Sequence, residues 1–195
     1  MKSTKKILSV LILSGALLGL VACSSNDKKE SATDSNTVTQ ESSKEASISK
    51  GSDFPKFDAK DIVSEEAVKS DIFKDSKVTV VNVWGTYCTG CIEEMPYLGE
   101  LNNEYKDKGV QFLGIVGDAK GNEVDAVKII KSTKVNYKNV APDDTLQNQL
   151  INNIDAIPVT ILVDKDGKVI DEFIVGSRTK DEYKKIIDQA LEQVK

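Results

Sequence analysis

The sequence predicts an α/β domain, a central mixed sheet flanked by helices, and three observations predict it. Two short valine-rich runs, VTVVNVW (Val78 to Trp84) and VQFLGIV (Val110 to Val116), read as strands covered on both faces. Between them apolar residues recur at helical spacing, and a strand, a helix and a strand in that order argue for a parallel unit. Later, PVTILVDKDGKVIDEFIV holds two apolar runs around Asp164 to Lys168, whose Asp-Gly pair signals an antiparallel hairpin.

Taken in order, the first six of the 195 residues carry Lys2, Lys5 and Lys6, and an apolar run from Ile7 to Ala22 stops at Cys23. This is the charged and apolar pattern of an export signal, and the run is short for a membrane span. Leu20, Val21, Ala22 and Cys23 resemble a bacterial lipobox, which implies removal of residues 1–22 and lipid attachment to Cys23. An uncleaved anchor and a plain secretory peptide are the alternatives. Losing residues 1–22 removes three lysines and no acid, so the formal net charge goes from −5 to −8. An acidic chain with Arg178 as its one arginine is a poor match for nucleic acid. Residues 23–52, rich in serine and mixed charge with little to bury, read as a lipidated cysteine followed by a disordered tether. Residues 53–195 are left for the folded domain.

Phe54, Pro55 and Phe57 are expected to dock the start of that domain. After the first valine-rich strand, Ile92, Met95, Leu98, Leu101 and Tyr105 mark a helix, with Pro96 as its expected kink. Val124, Val127 and Ile130 suggest a further helix, and Leu146, Leu150, Ile151 and Ile154 another after Pro142. The DKDG segment lacks the rest of a calcium-binding loop and reads as a plain turn. Tyr183, Ile186, Ile187, Ala190, Leu191 and Val194 define a final amphipathic helix.

The chemistry lies in WGTYCTGC, residues 84–91, in a chain with no histidine. With Cys23 assigned to lipid, Cys88 and Cys91 are the thiols of the fold. A structural zinc site wants four Cys or His ligands, and two thiols fall short. A static disulfide closing so short a loop removes little chain entropy. Reversible oxidation takes most of the remaining weight. A cysteine between a strand end and a helix start meets unpaired N–H groups and the positive end of the helix dipole, which stabilise a thiolate. Cys88 has that place, and Cys91, one turn further in, is expected to be more buried and to react second.

VVNVWGTYCTGCIEEMP, followed by DAIPVTILVDKDGK, resembles the thioredoxin superfamily and in detail its membrane-tethered ResA/TlpA branch, across nearly all of residues 54–195. The resemblance implies a thioredoxin-like fold, thiol-disulfide oxidoreductase activity, no bound cofactor or metal, and a cis Pro158 facing the cysteine pair. Asn82 stands where thioredoxin has a buried aspartate, so that proton acceptor is missing. Glu94 matches a family glutamate near the cysteines; it either exchanges a proton with Cys91 or is a helix-start carboxylate favoured by the dipole. Thr89 and Gly90 bring no positive charge between the cysteines, and Glu93 and Glu94 oppose a thiolate, which tilts the reading towards a reductant. Trp84 and Tyr87 flank the motif and read as an apolar lip for substrates, with core packing and a solvent-shielding edge as the alternative that suits Trp84 better than Tyr87. The implied partners are an integral membrane thiol carrier of the CcdA/DsbD kind as electron donor and exported proteins as substrates, such as methionine sulfoxide reductase or apocytochrome c, met on the extracytoplasmic face of the membrane. A disulfide-forming oxidase for secreted proteins and a redox-idle binding lipoprotein are the alternatives.

Overall fold

Residues 48–194 are described by the computed structural model; the expected export signal, the expected lipidation site Cys23 and the part of the expected tether up to residue 47 lie outside them. The strands are β1 (Asp58–Asp61), β2 (Ala67–Lys69), β3 (Val78–Trp84), β4 (Val110–Val116), β5 (Lys138–Ala141), β6 (Val159–Asp164) and β7 (Ile174–Val175). The helices are α1 (Thr89–Tyr105), α2 (Glu123–Ser132), α3 (Asp144–Gln149) and α4 (Lys180–Gln193). The strands form one mixed sheet in the order β2-β1-β5-β4-β3-β6-β7. β3 sits between parallel β4 and antiparallel β6, with Asn82 paired to Gly114 on one side and Thr160 on the other.

Strand alternation separates the two faces. Val81 and Val83 join Leu113, Ile115, Ile161 and Val163 on one face, under Phe54, Phe57, Phe73 and the α3 residue Leu146. The three phenylalanines meet edge to face, with centroids 5.3 to 6.4 Å apart, which is how the start of the domain is docked. On the other face Val78 and Val80 pack with Leu98 and Leu101 of α1 and with Tyr183, Ile187 and Ala190 of α4. Trp84, Cys91 and Met95 continue that layer to Ala126 and Ile130 of α2. Asn82 shares this face with Val80 and Trp84, so the strand delivers an amide beneath α1.

Several elements depart from expectation. β1, β2 and β5 carry too few apolar residues to announce themselves, and β1 (DAKD) buries only Ala59 and Asp61. The turn at Asp164–Lys168 forms with Gly167 at φ 82°, and the Asp164 carboxylate accepts the N–H groups of Asp166 and Lys168. The second hairpin strand is interrupted: Val169 bridges to Val163, then Asp171 turns out to Lys50, and pairing resumes only at Ile174. The helix after Pro142 is capped by Asp143, whose side chain accepts from Leu146 N–H at 2.8 Å, but it ends at Gln149. There the Asn153 amide donates to the Asn148 carbonyl at 2.9 Å, in competition with the helix ladder. α2 buries Ala126 and Ile130, whereas Val124 is exposed. α1 continues through Pro96, which lies on its solvent side. Residues assigned to the tether's end are attached: Gly51 N–H donates to Val169 O at 2.8 Å and Ser52 O accepts from Val169 at 2.9 Å. Among the described residues no helix is long and apolar enough to cross a membrane.

Candidate active site

β3 ends at Trp84 and α1 begins at Thr89, and the four residues between them place Cys88 at the helix N-cap. Gly85 lets the bend pack closely, since a Cβ there would come within 2.9 Å of the Ile157 side chain, which would have to shift. The bend is held from the side by Asp118, just beyond β4. Its carboxylate accepts the Thr86 N–H at 3.0 Å and the Thr86 hydroxyl at 2.6 Å. Cys88 and Cys91 are joined by a disulfide. Cys91 is fully buried, whereas Cys88 is partly exposed, so an incoming partner meets Cys88 first. The Cys88 sulfur accepts the Cys91 N–H at 3.2 Å, one of the unpaired donors of the helix start. It also lies 3.7 Å from the Ile157 carbonyl oxygen, and the Ile157–Pro158 peptide is cis. Beside the sulfur, Tyr87, Ile154, Asp155, Ala156 and Ile157 line a shallow depression of about 350 Å³. Tyr87 stands 76% exposed on its rim, while Trp84 is wholly buried and donates from Nε1 to Asn139 Oδ1 at 2.9 Å.

One turn along α1 from Cys91 lies a buried polar cluster. Glu94, one turn beyond Cys91 on α1, is only 1% exposed, although Glu93 beside it faces solvent. Its Oε1 accepts the Asn82 amide at 3.0 Å. Its Oε2 accepts the Tyr183 hydroxyl at 2.9 Å and the Arg178 N–H at 3.2 Å. Tyr183 is also 3.0 Å from the Thr160 hydroxyl. The Arg178 guanidinium is turned onto the carbonyls of Val175, Gly176 and Ser177, which fixes the loop that delivers its N–H. Burial pushes the Glu94 carboxyl above the usual carboxylate range, against the opposing pull of Tyr183, Arg178 and Asn82. The picture of a helix-start carboxylate resting on the dipole is therefore replaced by a buried acid held by three donors.

A raised carboxyl pKa makes the folded state bind a proton that the unfolded chain has already released. Glu94 thus favours folding below the ordinary carboxylate pKa, and that contribution is lost as pH rises from there through its own raised value. Urea unfolding of the oxidised domain at a series of pH values should show this loss, and Glu94→Gln should flatten it. An unchanged pH dependence in the variant would contradict the assignment.

The cluster brings together two residues flagged by the sequence, Asn82 and Glu94, with three that the sequence did not mark as functional: Thr160, Arg178 and Tyr183. Tyr183 reads in sequence only as an apolar-face position, and nothing local connects it to Glu94. Asp118 was likewise missed, since a lone acid after a strand carries no motif. Among the described residues no three His, Cys, Asp or Glu side chains gather as a metal site requires.

Comparison with known proteins gives consistent matches. The Redoxin family model matches residues 49–191. The thiol-disulfide oxidoreductase ResA of Bacillus cereus is 33% identical over 145 residues, covering 74% of this chain and 80% of that protein. ResA of Bacillus subtilis is 31% identical over 137 residues, covering 69% and 72%. Among solved structures, the thioredoxin domain of a thiol-disulfide oxidoreductase from Bacteroides vulgatus superposes with a TM-score of 0.62 at 29% identity, covering 74% of this chain and 99% of that one.

Proposed function

Since the chain belongs to the Redoxin family and is a thioredoxin-like thiol-disulfide oxidoreductase, we propose that it reduces disulfides of exported proteins while held to a membrane by lipid on Cys23. Residues 1–22 are then the signal that directs export, and the serine-rich stretch after Cys23 is the tether. The substrates are exported proteins such as a methionine sulfoxide reductase or an apocytochrome c. An integral membrane carrier of the CcdA/DsbD kind returns electrons to Cys88 and Cys91.

In the reducing direction the Cys88 thiolate attacks one sulfur of a partner disulfide. A Cys88–partner bond forms, the partner bond breaks, and the departing sulfur leaves with the electron pair and takes up a proton. Cys91 then gives its proton to the Glu94 carboxylate and attacks the Cys88 sulfur. The partner's second thiol is released on protonation, and the Cys88–Cys91 disulfide is restored. Two electrons and two protons have passed to the partner. Asn82, Arg178 and Tyr183 hold the carboxylate that receives the internal proton, and Pro158 shapes the wall beside Cys88.

The observation that carries the direction is the buried acid one turn after the pair on α1: a buried carboxylate, with no cation between the cysteines, disfavours a second negative charge on Cys91 and so favours giving electrons up. The opposite reading, an oxidase for secreted proteins, draws on the helix-start N–H donated to the Cys88 sulfur, which stabilises the reduced form. The reduction potential separates them. We expect the chain lacking residues 1–22, with Cys23→Ser, to equilibrate near or below about −230 mV when followed by Trp84 fluorescence. A value near about −120 mV would reverse the proposed direction.

A further inference from the structure

Glu94 has to serve in two states, as a carboxylate that accepts a proton from Cys91 and as an acid that then holds it. Most buried donors suit only one of these. The Arg178 N–H is a donor alone and favours the carboxylate. A hydroxyl both donates and accepts. The Tyr183 hydroxyl is wholly enclosed and has two neighbours, Glu94 Oε2 at 2.9 Å and the Thr160 hydroxyl at 3.0 Å. With Glu94 ionised, Tyr183 donates to Glu94 and Thr160 donates to Tyr183. With Glu94 protonated on Oε2, every bond in that chain can reverse: Glu94 donates to Tyr183 and Tyr183 donates to Thr160. No heavy atom moves.

We propose that Tyr183 is a positioning residue for the exchange reaction, its reversible hydrogen bond allowing Glu94 to take and hold the Cys91 proton without leaving a buried polar group unpaired. The inference rests on Glu94 being the proton partner of Cys91. Asn82 offers the same reversibility by rotating its amide, because its Oδ1 has no partner among the described residues and can accept where Nδ2 now donates. The other groups around Glu94 are fixed in sign or make no hydrogen bond to it among the described residues. Arg178, whose charge favours the carboxylate, is occupied with backbone carbonyls. Tyr137, entering from the segment before β5, has a buried hydroxyl that burial and the Glu94 charge keep protonated. Glu93 points to solvent. Tyr183 arrives from α4, whose first turn is set by a capping box: the Thr179 side chain accepts the Glu182 N–H and Glu182 accepts the Thr179 N–H.

The experiment uses the chain lacking residues 1–22, with Cys23→Ser, and follows release of a fluorescent thiol from the mixed disulfide that it forms on Cys88. The rate is recorded against pH, alongside the Glu94 carboxyl resonance by carbon-13 NMR, for the wild-type site, Tyr183→Phe, Glu94→Gln and the double variant. Tyr183→Phe removes a donor to the carboxylate, so both midpoints should move up by about one pH unit, a roughly tenfold slower release below the midpoint. In the Glu94→Gln background the same change should leave the pH profile where it is. A ring-fluorinated tyrosine at position 183 strengthens the donor at nearly constant volume and should move both midpoints down, which keeps the test open even if the Phe variant folds poorly. If Tyr183→Phe lowers only the melting temperature and both midpoints stay, the inference about Tyr183 is overturned while Glu94 keeps its role. If Glu94→Gln leaves the wild-type release profile unchanged, the proton-partner reading itself fails, and the Tyr183 inference with it.

Discussion

Cys91→Ser should convert the enzyme into a trap, with a covalent adduct on Cys88 that accumulates to one partner per chain and clears on the order of a thousandfold more slowly than in the wild type. The buried, adjacent Cys91 attacks within one molecule, and replacing it by millimolar external thiol forfeits most of an effective molarity that reaches about 10⁵ M or more in well-oriented cases. The variant keeps the attacking sulfur, the helix-start N–H that faces it and the depression beside it. Cys88→Ser should form no adduct, because the remaining thiol lies beneath the surface. Intact-mass spectrometry after mixing each variant with a disulfide peptide reads both outcomes. An adduct that builds up on Cys91 in the Cys88→Ser variant would exchange the two roles.

Gly114→Ala is expected to cost about 3 kcal/mol or more of folding stability, large for one methyl group. Gly114 lies in β4 between Asn82 and Asn139 on the neighbouring strands, and the Asn139 side chain is laid across it to reach the Trp84 indole. A Cβ would come within 1.8 Å of Asn139 Oδ1 and 2.6 Å of its Cγ. Asn139 has to leave, Trp84 Nε1 loses its buried acceptor, and the layer carrying Cys91 shifts with it. Urea unfolding followed by Trp84 fluorescence should show the loss of stability together with an altered native spectrum. Stability within about 0.5 kcal/mol of wild type would mean that the sheet opens there far more easily than its packing implies.

How much of this was legible in the sequence depends on how far each partner lies along the chain. α1 and α4 announce themselves by periodic apolar faces, and β3 and β4 by short apolar runs buried on both faces. The cysteine pair and the cis bond before Pro158 were likewise readable, whereas Trp84, read first as part of a substrate lip, turns out wholly buried. β1, β2 and β5 were not readable, since four or fewer residues with at most two of them apolar make a strand only when a neighbour is waiting. The hairpin's second strand was read too long because its apolar residues flank Asp171 and Glu172, and Asp171 pairs with Lys50 across the surface. Glu94 carried a signal, but its burial did not: Tyr183 is 89 residues away and Arg178 84, joined to it only by folding. A tyrosine at an apolar helix position looks like core until the carboxylate beneath it is seen.

The entry of the chain fixes an orientation. Asp53 and Phe54 are paired with the Gly167–Lys168 turn, beside the Asp164 end of β6 that meets the start of β3 at Val78. The cysteines follow the far end of the same strand, Trp84, six residues on and about 20 Å away. Asp53 and Cys88 therefore lie towards opposite ends of β3. A bead or fusion partner grafted directly at Asp53 would sit at the end of β3 away from the sulfur and leave Cys88 open to a partner.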